Sequence, residues 1–413
     1  MTSNSHGLQR EKQVREIAAR LGVADFVYTA PPIRKGNSLR EATGDGLLIV
    51  REQGAVLQVK ARDPDSAASD SDTRVAAWIK KQAAIARDQG FGSKRELARR
   101  LKMSVPVVVT PVRATVLSNE QRKLYDLEIS FLTDNWPIIV VLDHPRSPEI
   151  DLGFEPGVLS LTLKDWWELN RRIRSTAGLL DYCYRVNDGR IHVPLGREGT
   201  RYAVMQAADV EAARGFATSL PYLADSVEFD SLGTDIFHDV INKVWPADGV
   251  IPWRSASEYR KIVEFLDSIP PQMQSVIGRW FLRKRAEIES GKMASSGLIR
   301  LLQRDRLVFG CSNGKHWDKA GDWASEIGLL TVLRHAQAFE SGAQSDSITL
   351  GVGALVEERA GKSGVSYTFV LLAGQDGILP IPPNIRADLE SQYGVFNEPL
   401  GTTTFAASVD GGS

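Results

Sequence analysis

Asp45-Gly46-Leu47-Leu48-Ile49-Val50 and Gly54-Ala55-Val56-Leu57-Gln58-Val59-Lys60-Ala61-Arg62 are the stretches that decide the fold. Both are apolar and free of proline, and the tight Glu52-Gln53-Gly54 connection predicts an antiparallel hairpin. Side chains alternate along a strand, so Gln58 and Lys60 share one face while Val59 points into the core. Asp45, at the start of the first strand, is placed across the hairpin beside them. Upstream, Val14, Ile17, Ala18 and Leu21 recur at helical spacing over Leu8–Leu21, and Gly22 stands where a C-cap belongs. A strand-like run follows at Phe26–Ala30. Downstream, the small acidic segment Asp63–Asp72 reads as a loop. A helix starting at Thr73 carries Val75, Trp78, Ile79, Ala83 and Ala86 on one face, and Gln89-Gly90-Phe91-Gly92 separates it from a second helical piece, Ser93–Leu101. Val107–Thr110 and Ile138–Leu142 are continuous apolar runs that suit buried strands. The order αβββαβ gives a small mixed sheet flanked by helices, an α/β (α+β) arrangement.

Hydrolysing a phosphodiester with a hard divalent ion needs carboxylate oxygens fixed near the scissile phosphate and a cation that organises water. The hairpin offers such a set in Asp45, Gln58 and Lys60. Its sequence, from Glu41-Ala42-Thr43-Gly44-Asp45 through Gln58-Val59-Lys60, resembles the metal-site hairpin of PD-(D/E)XK nucleases, closest to the Mrr-like and nuclease-related branches of the restriction-endonuclease-like fold that accept Gln in the Glu position. The resemblance spans residues 8 to 115. It implies Asp45 as the principal ligand of Mg²⁺ (or Mn²⁺), Gln58 as a weaker ligand through its amide oxygen, and Lys60 as the group that positions or activates the attacking water. A first-helix glutamate often completes such a site, which nominates Glu16 as catalytic residue and ligand, with Glu11 second. Two departures stand out: Gly44 replaces the proline of the family name, and Gln58 gives up one negative charge for the metal. On the bland reading, Asp45-Gly46 is turn chemistry, and Gln58 and Lys60 are the wet face of an edge strand.

The span from Arg74 to Lys102 is strongly basic, with Arg74, Lys80, Lys81, Arg87, Lys94 and Arg95 as candidate contacts to a phosphate backbone. A solvated helix face is the alternative. Ser93–Ser104 faintly resembles the start of a helix-turn-helix, but a strand-like run follows where a recognition helix belongs. Arg279, Arg283, Lys284 and Arg285 beside Trp280 and Phe281 form a second basic cluster in which the aromatics read as core. Asp143-His144 reads as strand-end turn chemistry, and the six histidines show no metal-ligand spacing.

A chain of 413 residues exceeds the size of a single core, which predicts at least two domains. A nuclease-like domain is expected over 1–156, a connecting helix and linker over 157–200, a mixed, helix-rich C-terminal domain over 201–400 and a disordered tail over 401–413. The connecting helix is Leu163–Leu180, and a late hairpin pairs Ser347–Glu357 with Ser366–Leu372. With 43% apolar residues and a net charge of -1, any affinity for nucleic acid has to come from local patches. No signal-peptide core or bilayer-spanning run is visible, so a cytoplasmic protein is expected, with Cys183 and Cys311 as buried thiols. These features point to a Mg²⁺-dependent DNA endonuclease of the restriction or phage-defence kind. Two other readings stay open: an impaired nuclease-like binding module, and a scaffold subunit that meets a protein partner or a second copy through its C-terminal half.

Overall fold

The structure is a computed structural model that describes residues 3–31, 33–35, 38–40, 45–118, 122–123, 125–131, 133–146, 149–187, 191–214, 223, 231–244, 256–291, 294–301, 305–316, 320–359 and 362–393. Glu41–Gly44 and the tail beyond residue 393 lie outside the described residues. The chain forms two compact units, Met1–Val210 with Tyr222–Val227, and Glu211–Pro221 with Glu228–Ser413. The whole is of mixed α/β class, as the alternating periodicities require.

The first unit begins with α1 (Ser3–Leu21), followed by β1 (Val27–Tyr28) and a short β2–β3 pair (Ile33–Lys35, Ser38–Arg40). The hairpin is β4 (Gly46–Val50) and β5 (Gln53–Ala61), paired from Gly46 with Leu57 to Val50 with Gln53. Its turn is Arg51-Glu52, one position tighter than the expected connection, with Arg51 at φ 54. Gly54 is therefore a strand residue, and an added Cβ would stand 2.5 Å from the Trp136 ring, so only glycine fits. Next come α2 (Pro64–Ala67), capped by the Asp63 carboxylate, and α3 (Asp72–Lys102). The Asp63–Asp72 segment is thus partly helical, and Arg62 ties it back through Asp70.

α3 is one helix of 31 residues, without the expected break at Gly90. A Cβ at Gly90 would lie 2.4 Å from the Ile138 side chain, so this glycine brings the helix down onto the sheet. β6 (Val107–Val109) and β7 (Leu127–Ile129) form a small separate sheet, and β8 (Ile138–Asp143) and β9 (Val158–Thr162) complete the main one. Its order is β1-β4-β5-β8-β9, with β5, β8 and β9 mutually parallel. The expected boundary at Pro156 is displaced, because β9 is the fifth strand of this sheet. α4 (Leu163–Ile173) and α5 (Thr176–Val186) then split the expected Leu163–Leu180 helix at Arg174, which is left-handed at φ 51. α6 (Glu198–Arg214) follows, and the first unit includes it as far as Val210.

Both faces of the sheet are covered. Val75, Ile79 and Ala86 of α3 pack against Ile138, Val140 and Leu142 of β8. Parallel partners share a face, so Val56, Gln58 and Lys60, which pair with those three β8 residues, lie under α3 as well. The opposite face meets α1, where Gly46 leaves room for the Arg15 stem.

The second unit contains α7 (Ser231–Val244), α8 (Ala256–Asp267) and α9 (Pro271–Glu289), then β10 (Ala294–Leu301), β11 (Asp305–Asn313), α10 (Ala320–Glu340), β12 (Ile348–Arg359), β13 (Lys362–Ala373) and α11 (Pro383–Tyr393). Its sheet runs β10-β11-β12-β13, and β12 and β13 form the expected late hairpin. Phe281 is buried and Trp280 stacks edge-on against Phe309 at 4.5 Å, so these aromatics are core. Lys284 and Arg285 pair along their own helix with Glu287 and Glu289. Both cysteines are buried free thiols.

Candidate functional site

β4 ends one residue short of what the β5 ladder needs. The Asp45 amide donates to the Leu57 carbonyl at 3.0 Å, and its carboxylate Oδ2 takes the hydrogen bond of the Val59 amide. The side chain thus replaces a missing strand partner, and its carboxylate is fixed between Gln58 and Lys60. Arg15 of α1 donates to the Asp45 carbonyl and fixes the position from the other face.

Gln58 is 2% exposed, and its Nε2 has no hydrogen-bond partner. β5 lies between β4 and β8, which excludes the wet face of an edge strand. A buried amide without a partner costs about 1–3 kcal/mol. A half-turn of the amide exchanges Oε1 for Nε2, so the same position can offer an acceptor to a cation. Lys60, in register with Leu142, is half-buried and makes no ion pair among the described residues. Asp45 and Gln58 offer one carboxylate and one amide oxygen, the hard donor types that Mg²⁺ takes. No cluster of three or more His, Cys, Asp or Glu groups suited to a metal occurs among the described residues.

Glu16 does not join them. Its side chain is 57% exposed and pairs with Lys12 at 3.6 Å, because Val14 and Ala18 take the buried face of α1 and position 16 falls on the opposite side. Glu11 lies three and seven residues before Val14 and Ala18, on the sheet-facing side of α1, but α1 covers the face opposite Gln58 and Lys60, so Glu11 does not share their face either.

At the C-terminal ends of β5 and β8 a polar group missed in the sequence surrounds the strand after Lys60. Arg10 of α1 pairs with Asp143 at 2.8 Å, Arg62 makes a two-pronged contact to Asp70, and His144 approaches Asp70 at 3.5 Å beneath Trp78. Burial pushes the His144 imidazole below its usual pKa, against the pull of Asp70. Burial also pushes Asp70 upward, but the hydrogen bond and charge of Arg62, with His144 behind them, hold it below the usual carboxylate range. The dipeptide Asp143-His144 was the only sequence signal of this group, and its buried histidine exceeds the turn chemistry expected of it.

The six basic candidates divide by their places on α3. Arg74, Lys81 and Arg95 are exposed on its outer side. Lys80, Arg87 and Lys94 recur every seven residues along one flank. Arg87 is engaged by Asp88 and Glu155, and Lys94 is half-buried near Phe91, with burial lowering its pKa against the pull of Asp134. No helix among the described residues is long and apolar enough to cross a membrane. The chain matches no protein-family model, no curated protein and no solved structure.

Proposed function

We propose that the first unit is a metal-dependent phosphodiester hydrolase acting on nucleic acid, with DNA as the first substrate to test. The observation that carries the reading is the Asp45 carboxylate, held by the Val59 amide on the strand segment that also presents Gln58 and Lys60. The order of helix, three-stranded meander, helix and parallel strand supports it, since that is the αβββαβ framework of the PD-(D/E)XK resemblance. Asp45 and Gln58 would hold Mg²⁺, which supplies charge neutralisation at the phosphate and a more acidic bound water. The Val59 amide holds one Asp45 oxygen, which orients the carboxylate. Lys60 holds a positive charge next to the position a phosphate would occupy, where it stabilises charge developing in the transition state. The exposed cations of α3 draw in the polyanion.

A nucleic-acid-binding module without cleavage is the second reading. The neutral Gln58 and the outward Glu16 favour it, since they leave Asp45 with fewer acidic partners than such sites usually hold.

Nicking of supercoiled plasmid and of linear duplex in Mg²⁺ or Mn²⁺, with EDTA controls, separates the two. Wild type is expected to cleave, Asp45→Asn to lose metal binding and cleavage together, and Lys60→Ala to keep its fold and DNA affinity while slowing by about 10². If wild type cleaves nothing in either metal, or Lys60→Ala cleaves like wild type, the binding module takes its place.

A further inference from the structure

A cavity of about 650 Å³ opens on the α3 face of the same sheet, above its β9 edge. Its size falls in the range of small-molecule sites. The floor is β9, with Val158 and Ser160; one wall is the flank of α3, and the other is built from residues 151–155 and 191–195 with Arg201 of α6. All of these belong to the first unit.

The lining has two halves of different chemistry. One is basic: Lys80, Arg87, His192 and Arg201 face the space, opposed by Asp151 and Glu155. Lys80 is exposed and makes no ion pair among the described residues. Arg201 is buried and gives Nη1 to Glu198 at 3.2 Å, while its Nε has no partner. The acids hold the other two side chains in place, Asp151 at 2.9 Å from His192 and Glu155 at 3.3 Å from Arg87. The second half is apolar: Ala83 and Ala84 line it with short side chains, and Phe154, also in the lining, is 47% exposed. An exposed aromatic ring beside cations is the combination that holds a nucleobase by stacking and its phosphate by charge. Inorganic phosphate would leave the apolar half empty, and an aliphatic anion would make no use of the phenyl face or of the Ser160 hydroxyl.

We infer that this cavity is a binding site for one nucleotide unit, a nucleoside 5′-monophosphate either free or within a strand, with Phe154 stacking on the base and Lys80 and Arg201 facing the phosphate. It is separate from the Asp45 hairpin and does not depend on its chemistry.

The test is calorimetric titration of the full chain, in EDTA, with adenosine and thymidine 5′-monophosphates, adenosine, inorganic phosphate and a five-residue thymidine oligonucleotide. At least one monophosphate or the oligonucleotide is expected to bind with a Kd at or below about 1 mM. Phe154→Ala, on an exposed loop, should weaken that binding about tenfold, and Lys80→Glu at least as much. Ser160→Trp should abolish it by filling the space. Asp45→Asn should leave monophosphate binding unchanged, which keeps the result independent of cleavage. Binding by the monophosphates assigns a free nucleotide, and binding by the oligonucleotide alone assigns a nucleotide within a strand. The inference is overturned if neither binds, if Phe154→Ala and Lys80→Glu bind like wild type, or if adenosine or inorganic phosphate binds as tightly as the monophosphate.

Discussion

The hairpin and the cavity occupy the same face of one sheet but are built in opposite ways. Gln58, Val140 and Ser160 form a single row across β5, β8 and β9, so two inter-strand spacings, about 10 Å, separate the hairpin glutamine from the cavity floor. The hairpin groups sit within one continuous stretch, where strand alternation alone brings them together. The cavity draws on α3, β9, two loops and α6, which no local period connects. The hairpin side is closed over by α3 and leaves an amide without a partner. The cavity side is open, and Lys80 lines it without an ion pair among the described residues. Burial is therefore the property that distinguishes them, and it sets the size of the effect that each substitution should have.

The largest effect tests whether the buried position at Gln58 is made for a cation. Gln58→Glu puts a carboxylate where only 2% of the side chain is exposed. In EDTA at neutral pH the uncompensated charge should lower stability by about 3–5 kcal/mol. Mg²⁺ should restore most of that loss if Asp45 and residue 58 face one site, and thermal unfolding with and without the ion measures it. A variant whose unfolding ignores Mg²⁺ would make the hairpin a structural feature only. A carboxylate installed in the open cavity, as in Ser160→Asp, should cost far less.

Next in size is the bond that replaces a strand partner. Asp45→Ala leaves the Val59 amide without an acceptor in a buried strand and should cost about 1–3 kcal/mol, whereas Asp45→Asn keeps an acceptor oxygen and should lose much less. Equal losses in denaturant unfolding would mean that the bond to Val59 contributes nothing.

Smaller again, and opposite in sign, is Gln58→Leu. Removing an unpartnered amide and filling the space with carbon should raise stability by about 1 kcal/mol while removing any metal response. A loss of stability would mean that the amide is satisfied in solution, and would remove the reason for regarding it as poised for a ligand.

The sequence was informative wherever structure is local. The short apolar runs located β4, β5 and β8, the period-3.6 runs located α1 and α3, and together they gave the αβββαβ order. It misled where a residue's role is set by a distant neighbour. Gly90 reads as a helix break until Ile138 is seen beneath it, and Gly54 reads as a turn until Trp136 fills the space beside it. Glu16 was placed ahead of Glu11, although the spacing from Val14 and Ala18 already puts Glu16 on the outer side of the helix. That Gln58 is buried beneath α3 could not be read, since alternation says which residues share a face but not which face a later helix will cover. The cavity left no sequence signal beyond an exposed Phe154 in a glycine-containing loop.

The smallest expected effect concerns pH and separates the two regions by their histidines. His144 is buried at the hairpin end, and burial lowers its pKa. The folded state therefore resists a proton that the unfolded chain accepts near the ordinary value of about 6.5. Below that pH the unfolded chain binds more protons, so stability declines as pH falls, and the contribution is fully present only above it. Asp70 works in the same direction in a lower window, because its depressed pKa makes stability fall once the pH drops below the ordinary carboxylate value of about 3.9. The two windows can be resolved in one series of denaturant midpoints from pH 8 to pH 3. His144→Phe should remove the upper step and leave the lower one. His192→Asn, which loses only a partly exposed pair with Asp151 at the cavity mouth, should leave both, since such pairs are weak and screened by water. If His192→Asn flattened the upper step and His144→Phe did not, the buried and open regions would have exchanged roles, and burial would not be what distinguishes them.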